Sequence, residues 1–260
     1  MRGVAPLLLG ERLTAVEVRR ADLRWPIPPD FRQRLQGAVV TRVGRRAKYG
    51  LIDTDRGDTV ILHLGMSGRL RLDPGEERLH DHVLFETARE RVALNDPRRF
   101  GSLHIVRTDA LGDHPLIAAC GPEPLGPDLT PDHLSDAIRH SASPVKALLL
   151  DGRRVAGLGN IYVSEALFAA GVRPSRRGSR VTRKEIARLA EAIPAVLRRA
   201  IAAGGSSLRD FAQPSGDLGY FQHDFRVYGR SGEACQDCGA AIKRIVQSGR
   251  SSFYCPRCQR

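Results

Sequence analysis

Residues 233–239 read EACQDCG, and residues 254–260 read YCPRCQR. These two stretches hold four of the five cysteines as two Cys-x2-Cys pairs, sixteen residues apart. This spacing is typical of a structural zinc site, in which each pair supplies two thiolates and a β-hairpin brings the pairs together. Four thiolates leave no coordination position for water, so we expect one structural Zn²⁺ ion. Its predicted ligands are Cys235, Cys238, Cys255 and Cys258.

Two disulfides are the alternative use of these cysteines. Disulfides are rare in cytosolic proteins, and the chain shows neither a secretory signal pattern nor an apolar run of 18 residues. We therefore expect a cytoplasmic protein with no membrane span, whose paired cysteines bind zinc. The fifth cysteine, Cys120, lies in a stretch rich in Pro and Gly and is expected to be a bystander.

The segment between the cysteine pairs predicts what the zinc site presents. Residues 246–253 read VQSGRSSF, which fits the tip of a hairpin. Arg250 stands there beside Gly249 and two serines, a composition suited to close contact with a phosphate group. The alternative is an exposed loop arginine without a function.

The positive charge of the chain is clustered. The net charge is +12, and residues 171–209 carry ten Lys and Arg against two Asp and Glu. Residues 226–260 carry seven against two. A clustered positive field suits a polyanion, most often a nucleic acid. The alternative is a solvated, arginine-rich face.

The chain of 260 residues divides into a strand-rich and a helical part. Residues 12–106 alternate β-branched or apolar residues with polar ones, with turn signals at Arg56-Gly57 and Ser67-Gly68, which predicts a β-sandwich. Residues 120–131, CGPEPLGPDLTP, have the composition of a linker.

Helix signals follow the linker. Thr130 and Pro131 predict a helix start, and residues 143–151, SPVKALLLD, predict a second short helix. Asn160 is predicted to cap a third helix that ends at Gly171.

A longer helix is predicted after Thr182. Thr182 and Glu185 have the spacing of a capping box, and Pro194 inside this helix is expected to kink it or interrupt its hydrogen bonds. Residues 212–230, AQPSGDLGYFQHDFRVYGR, show no period and are predicted to form a loop.

Several motifs in register resemble the bacterial formamidopyrimidine-DNA glycosylases, and the resemblance covers almost the whole chain. The related endonuclease VIII-type enzymes share the architecture, but the forms DPRRFG and FYCPRCQR favour the first branch. The motifs are RRAKYG (45–50), HLGMSGRL (63–70), HDHV (80–83), DPRRFG (96–101), GLGNIYVSEALFAAGVRP (157–174), GYFQHDFRVYGR (219–230) and GRSSFYCPRCQR (249–260).

The resemblance implies an α+β multidomain fold. Its parts are an N-terminal β-sandwich catalytic domain (1–120), a helix–two-turn–helix DNA-binding domain with a lesion loop (121–225) and a zinc finger (226–260). It also implies excision of oxidised purines, such as 8-oxoguanine and formamidopyrimidines, from duplex DNA. The lesion is flipped out of the stack, an amine forms a Schiff base at C1′, and β,δ-elimination nicks the abasic site. The expected partner is duplex DNA with oxidised purines or abasic sites, bound by a monomer at the bacterial nucleoid.

Two catalytic residues follow from the resemblance. Lys48 matches the family's hairpin lysine, a proton donor in β-elimination, although one more solvated base is the alternative. Arg250 matches the zinc-finger arginine assigned to the lesion's phosphates and to δ-elimination.

Six DNA-binding residues follow in the same way. Met66, Arg98 and Phe100 match the residues that fill the space left by the flipped base, although on residue type alone Met66 and Phe100 would more often be core residues. The remaining matches, of which the last two are phosphate contacts, are His80, Lys146 and Asn160.

One expected segment does not stand in the sequence. The family begins MPELPEVET, where the N-terminal proline is the nucleophile and the next residue is a glutamate acid, whereas residues 1–10 read MRGVAPLLLG. Pro6 is internal, so its nitrogen is an amide. We expect a start codon placed at an internal methionine, an impaired chain as written, and fraying or exposure of Leu7 to Leu9. Two rivals to a glycosylase remain: a non-catalytic damaged-DNA binder, and a zinc-ribbon module that binds protein.

Overall fold

The computed structural model describes residues 1, 3–72, 78–205 and 220–260. Two compact units divide these residues. The first holds the described residues up to Ala118, and the second begins at Ala119 and ends at Arg260. The helical part of the chain and its cysteine-rich end therefore belong to one unit, while the boundaries predicted at 120 and 225 stay predictions.

The first unit is built on eight strands among its described residues. They form two antiparallel four-stranded sheets, ordered β1-β6-β7-β5 and β2-β3-β4-β8. The strands are β1 (Ala15–Val18), β2 (Val40–Arg46), β3 (Tyr49–Thr54), β4 (Asp58–His63), β5 (Arg69–Leu72), β6 (Asp81–Glu86), β7 (Arg91–Asn95) and β8 (Ser102–Arg107).

A single buried core joins the two sheets. Val83 and Leu94 enter it from the first sheet, and Val60 and Leu103 enter it from the second. Burial of apolar faces against each other is what holds a sandwich together. The predicted β-sandwich is confirmed, and so are its turns, since β3 and β4 flank Arg56-Gly57 and β4 and β5 flank Ser67-Gly68.

Three short helices accompany the sheets: α1 (Ala5–Leu8), α2 (Phe31–Leu35) and α3 (Pro115–Ala118). Helix α2 lies inside the region that the sequence pattern assigned to strands. Phe31 and Leu35 are fully buried one helical turn apart, so packing against the core favours a helix there. At the chain start, Leu8 is buried, whereas Leu9 is 53% exposed.

Four helices form the scaffold of the second unit: α4 (Pro131–Arg139), α5 (Val145–Leu150), α6 (Asn160–Ala169) and α7 (Arg183–Ala202). Their apolar faces share one core. The predicted cap of α4 is confirmed, since the Thr130 side chain accepts a hydrogen bond from the backbone N–H of His133. Gly171, just past α6, has a φ of +71°, as a helix-ending glycine requires.

The capping box of α7 is also confirmed. Thr182 accepts from the Glu185 backbone N–H, and the Glu185 carboxylate accepts from the Thr182 backbone N–H. The helix runs on through Pro194 to Ala202. Proline there removes one backbone donor without ending the helix, because the apolar face of α7 is buried on both sides of it.

Two expectations need correction. Gly159, and not Asn160, is the N-cap of α6, and Asn160 is the first helical residue. The Asn160 side chain donates hydrogen bonds to Tyr228 and Ser251, which are distant in sequence, instead of capping the helix. Within the predicted loop, residues 221–224 form a short 3₁₀ helix because Phe221 is buried in the helical core. The first part of the predicted loop, residues 212–219, lies outside the described residues, so the predicted lesion loop stays a prediction.

A two-stranded hairpin, β9 (Lys243–Gln247) and β10 (Arg250–Tyr254), closes the second unit. Arg250 pairs with Gln247, so only Ser248 and Gly249 form the turn. Both have positive φ, 49° and 72°, as a tight two-residue hairpin turn of the favoured hand requires. The predicted hairpin tip is confirmed. In the described part of the chain, no helix has the length and apolar character to cross a membrane.

Candidate zinc centre and nucleic-acid interface

The four paired cysteines converge behind the hairpin. Their sulfur atoms all lie within 4.8 Å of one another, with 3.9 Å between the Sγ atoms of Cys235 and Cys258 and 3.4 Å between those of Cys238 and Cys255. Zinc–sulfur bonds of about 2.3 Å in a tetrahedron place sulfur atoms about 3.8 Å apart. The cluster therefore fits one structural Zn²⁺ ion.

The electrostatics of the cluster require a cation. Burial, followed by the other three thiols, raises the pKa of the Cys258 thiol, so four thiolates could coexist only around positive charge. When bound, zinc links the two cysteine pairs and contributes directly to folding. Gln259 secures this end, because its amide accepts from the Cys255 backbone N–H and donates to the Val172 carbonyl.

Lys146 supports strand β10 from below. Its side chain is 1% exposed, and its ammonium group donates to the Ser251 carbonyl at 2.8 Å and to the Ser252 hydroxyl at 2.7 Å. Burial, and secondarily the charge of Arg250, lowers the pKa of Lys146 to about 8. An apolar helix, α5, thus holds a buried cation under the residues that follow Arg250.

Asn160 contacts the same strand from α6. Its side-chain N–H group donates to the Ser251 carbonyl at 3.0 Å and to the Tyr228 hydroxyl at 3.4 Å. Its side-chain oxygen is buried without a hydrogen-bond partner among the described residues. The structure therefore brings Lys146, Asn160 and Arg250 together, as Ser251 is the shared neighbour of all three.

A buried carboxylate, which the sequence did not reveal as important, fixes the approach to the zinc module. Glu165 is 1% exposed. It accepts hydrogen bonds from three successive backbone N–H groups, at 3.0 Å, 3.1 Å and 2.8 Å, those of Arg226, Val227 and Tyr228. Charge-assisted bonds of this kind are the strong ones, so Glu165 anchors the segment that carries Tyr228.

In the first unit, two loops present Met66 and Phe100. Met66 is 65% exposed and Phe100 is 43% exposed, so neither is a core residue. The guanidinium carbon of Arg98 lies 4.7 Å from the centre of the Phe100 ring. A Cβ atom at Gly65 would lie 2.5 Å from the carbonyl carbon of Phe100, so the two loops touch through their backbones. The predicted group of Met66, Arg98 and Phe100 is therefore adjacent in space.

Asp96 connects these loops and was not recognised from the sequence. It is fully buried. One carboxylate oxygen accepts from the Ser67 hydroxyl at 2.7 Å, and the other accepts from the Gly101 backbone N–H at 2.7 Å. The Asp96 backbone N–H donates to the His80 carbonyl at 3.1 Å. One residue thus holds the Met66 loop, the Phe100 loop and the backbone of His80.

His80 and Lys48 lie at turns of the first unit. His80 has a φ of +107°, which strains a non-glycine residue, and its ring centre lies 6.0 Å from that of His82. Lys48 is exposed in the two-residue turn between β2 and β3. Burial, then the charges of Lys48 and Arg24, lowers the pKa of neighbouring His63. The functional roles assigned to His80 and Lys48 stay predictions.

Three family models match successive parts of the chain. Residues 1–103 match the formamidopyrimidine-DNA glycosylase N-terminal domain, residues 120–212 match the H2TH domain of the same enzymes, and residues 232–260 match the zinc finger found in FPG and IleRS. Together with the four cysteines beside the hairpin, they define the class: a protein whose β-sandwich is followed along the chain by a helix–two-turn–helix domain and a zinc finger.

Relatives and solved structures narrow this class. The chain is 56% identical to the formamidopyrimidine-DNA glycosylases of Rhizorhabdus wittichii and Novosphingobium aromaticivorans, over 100% of this chain and 96% of each relative. The crystal structure of the MutM (FPG) protein from Thermus thermophilus matches with a TM-score of 0.91 and 38% identity, covering 99% of this chain and 95% of that one. The chain belongs to the formamidopyrimidine-DNA glycosylase family, a family of DNA glycosylases.

A second solved structure shows the fold with a ligand. It is described as a complex between the Lactococcus lactis Fpg and an abasic site containing DNA. It matches with a TM-score of 0.92 and 32% identity, covering 100% of this chain and 96% of that chain. The predicted family, its fold class and the single structural zinc ion are confirmed.

Proposed function

We propose that this protein acts in base-excision repair, removing oxidised purines such as 8-oxoguanine and formamidopyrimidines from duplex DNA and nicking the abasic site by β,δ-elimination. The observation that carries the proposal is the placement of Arg250 at the end of a two-residue turn, with Lys146 and Asn160 under the next residue. Two solved structures of the Lactococcus lactis Fpg are described as complexes, one with DNA that contains Fapy-dG and one with DNA that contains an abasic site. They support the same substrates for this protein.

Arg250 is proposed to bind phosphates beside the lesion and to assist δ-elimination. A guanidinium group offers several donors in a planar fork that suits phosphate oxygens. The short turn restricts where Arg250 can lie, and the zinc cluster restricts the hairpin. Lys48, at its own two-residue turn, is proposed as the proton donor in β-elimination.

Met66, Phe100 and Arg98 are proposed to enter the space vacated by the flipped base. Apolar side chains can wedge between base steps, and arginine can bind base edges. The exposure of Met66 and Phe100 supports this, because apolar side chains of this size usually gain by burial. His80 is proposed to contact the DNA, and Lys146 and Asn160 are proposed to contact its phosphates.

The nucleophile is the point on which a polypeptide beginning at Met1 should differ from an extended one. The family chemistry uses the amine of an N-terminal proline. We therefore propose that a polypeptide starting at Met1 binds damaged duplex but does not excise the lesion, as a damaged-DNA binder would, and that one extended to a Pro-Glu start excises and forms a Schiff base. We further propose that the protein acts as a monomer in the cytoplasm, at the nucleoid.

The decisive experiment compares both polypeptides on one 8-oxoguanine duplex, with borohydride to trap the Schiff base. The extended form should give a covalent adduct and a nicked strand, and the Met1 form should give neither. Trapping by the Met1 form at an equal rate would contradict the proline assignment. If neither form binds the duplex, the proposed function is contradicted.

Arg250→Ala, with Lys243→Ala as its control, tests the hairpin. Both residues are exposed cations on the same hairpin, but only Arg250 adjoins the turn. We expect Arg250→Ala to weaken binding to lesion duplex by about 1.5–3 kcal/mol, the range for hydrogen bonds to charged groups, and Lys243→Ala to change it little. Equal affinities of the two variants would count against the role of Arg250.

A further inference from the structure

The loop between α6 and α7 forms an open pocket that the proposed function does not use. Its volume is about 450 Å³. Arginines dominate its lining, with one serine among them. The lining residues are Arg173, Ser175, Arg176, Arg177 and Arg180. We call this site the arginine pocket.

Two of the four arginines are held by neighbours. Arg176 pairs with the Glu185 carboxylate at 2.5 Å. Arg173 donates to the Tyr254 hydroxyl at 3.1 Å and lies over the same ring. Both are thereby oriented, and only one of them is neutralised by an acid.

The other two arginines are available to a ligand. Arg177 and Arg180 are exposed, and within the described ranges neither side chain has a hydrogen bond or an ion pair. Each guanidinium group carries five N–H donors. The arginine pocket thus combines excess positive charge with many unused donors, which is the chemistry that recognises a phosphate oxyanion.

The backbone of the arginine pocket is fixed. Gly178 is packed so tightly that a Cβ atom there would lie 2.2 Å from the Ile138 carbonyl oxygen. The Arg176 carbonyl accepts from the Val145 backbone N–H at 2.8 Å. The guanidinium groups therefore extend from a preorganised loop, which reduces the entropy lost on binding.

The loop of the arginine pocket is also hydrogen-bonded to residues in and next to the β9–β10 hairpin. The Pro174 carbonyl accepts from the backbone N–H of Lys146 at 3.3 Å and from the side-chain amide of Gln247 at 3.3 Å. Lys146 supports β10, and Gln247 ends β9. The loop that carries the four arginines is thus hydrogen-bonded both to Lys146, which supports β10, and to Gln247, which lies beside the turn next to Arg250.

We propose that the arginine pocket binds a phosphate group of the DNA backbone, separate from the phosphates beside the lesion that are assigned to Arg250. This inference rests on the proposed function, since it presupposes that the protein binds duplex DNA. A free phosphate ion presents the same oxyanion, so the experiment must separate the two sources.

The test is the double variant Arg177→Ala/Arg180→Ala, with Arg198→Ala/Arg199→Ala as the matched control. The control removes the same charge from exposed arginines at the other end of α7. Affinities for lesion-bearing and undamaged duplexes are measured over a series of salt concentrations. We expect the double variant to bind both duplexes roughly threefold to tenfold more weakly, with a salt slope smaller by about one per lost phosphate contact.

A second arm uses inorganic phosphate as the probe. The thermal unfolding midpoint of each protein is measured with phosphate and with chloride at equal ionic strength. Stabilisation by phosphate that is lost only in the double variant, together with weakened DNA binding, supports the proposal. Lost phosphate stabilisation with unchanged DNA binding overturns it in favour of a free-anion site.

The remaining outcomes separate this inference from the proposed function. A parent protein that binds duplex while the double variant matches the control in affinity and salt slope overturns the arginine-pocket inference alone. A parent protein that binds no duplex overturns the proposed function and the inference with it.

Discussion

The hydroxyl of Ser67 donates a hydrogen bond of 2.7 Å to a buried carboxylate oxygen of Asp96. This bond joins the loop that presents exposed Met66 to the loop that presents exposed Phe100, because the second oxygen of Asp96 holds Gly101. The two apolar tips can act as one wedge only if this junction keeps them in place.

Ser67→Ala should loosen the wedge and the fold together. The change leaves a buried carboxylate oxygen without its hydroxyl partner, which costs about 1–3 kcal/mol of unfolding free energy. We expect urea unfolding to show that loss, with slower excision of 8-oxoguanine by the extended polypeptide. Met66→Ala is the matched comparison: its side chain is exposed, so excision should slow while stability stays unchanged. A Ser67→Ala protein with parental stability and excision would contradict the role of the junction.

Lys146 should give the protein a distinctive pH dependence of stability. Its pKa is about 8 in the folded protein and about 10.4 in an unfolded chain. Between these values the unfolded chain binds the extra proton, so the unfolding free energy rises with pH, by at most about 1.4 kcal/mol per pH unit. The contribution is complete above about pH 10.4 and is lost as pH falls through about 8.

The measurement is urea unfolding of the parent and of Lys146→Met at a series of pH values from about 7 to about 11, which spans the two pKa values. The difference between the two proteins should shift in favour of the parent as pH rises through this window. Parallel curves for the two proteins would show that Lys146 keeps an ordinary pKa.

Glu165→Gln should weaken the attachment of the zinc module. A neutral amide has only one acceptor oxygen. Its N–H₂ group would face backbone N–H groups that now donate hydrogen bonds to the Glu165 carboxylate. We expect a loss of about 2–4 kcal/mol in unfolding free energy, since strong charge-assisted bonds are replaced by unsatisfied donors. Hydrogen exchange at Arg226, Val227 and Tyr228 should accelerate.

Glu191→Gln provides the control, because Glu191 is an exposed acid on α7. Among the described residues, its carboxylate has no hydrogen bond and no ion pair. It should leave stability and exchange unchanged. Equal stability and equal exchange rates of the two glutamine variants would contradict the role of Glu165 in anchoring residues 226–228.

Cys238→Ser should abolish stoichiometric zinc binding. Metal analysis of the parent should give one zinc per chain, and the variant should retain little, with lower thermal stability because metal binding contributes to folding. Cys120→Ser is the control, since Cys120 stands outside the cluster, and its zinc content should be parental. Full zinc occupancy in Cys238→Ser would rule out the four-thiolate assignment.

Local sequence patterns determined a large part of this protein. The Cys-x2-Cys pairs predicted the metal centre, since two thiolates on a short knuckle are already close to coordination geometry before the chain folds. Thr130 and Thr182 predicted helix starts, because a cap satisfies donors only two or three residues away. The motifs around Lys48, Met66 and Arg250 indicated the family.

Tertiary structure decided the roles that depend on distant partners. Asp96, in an ordinary turn motif, and Glu165, within an apolar helix, gave no sign of the loops that they hold, because their partners lie 29 and 61 or more residues away in sequence. Asn160 matched the pattern of a helix cap, yet its amide is drawn to Ser251. Lys146 was predicted as a phosphate contact, and only the folded structure shows that α5 buries it against β10, where burial is what lowers its pKa most. A pattern in sequence records what a residue can satisfy nearby, whereas burial and long-range hydrogen bonds exist only once the chain has folded.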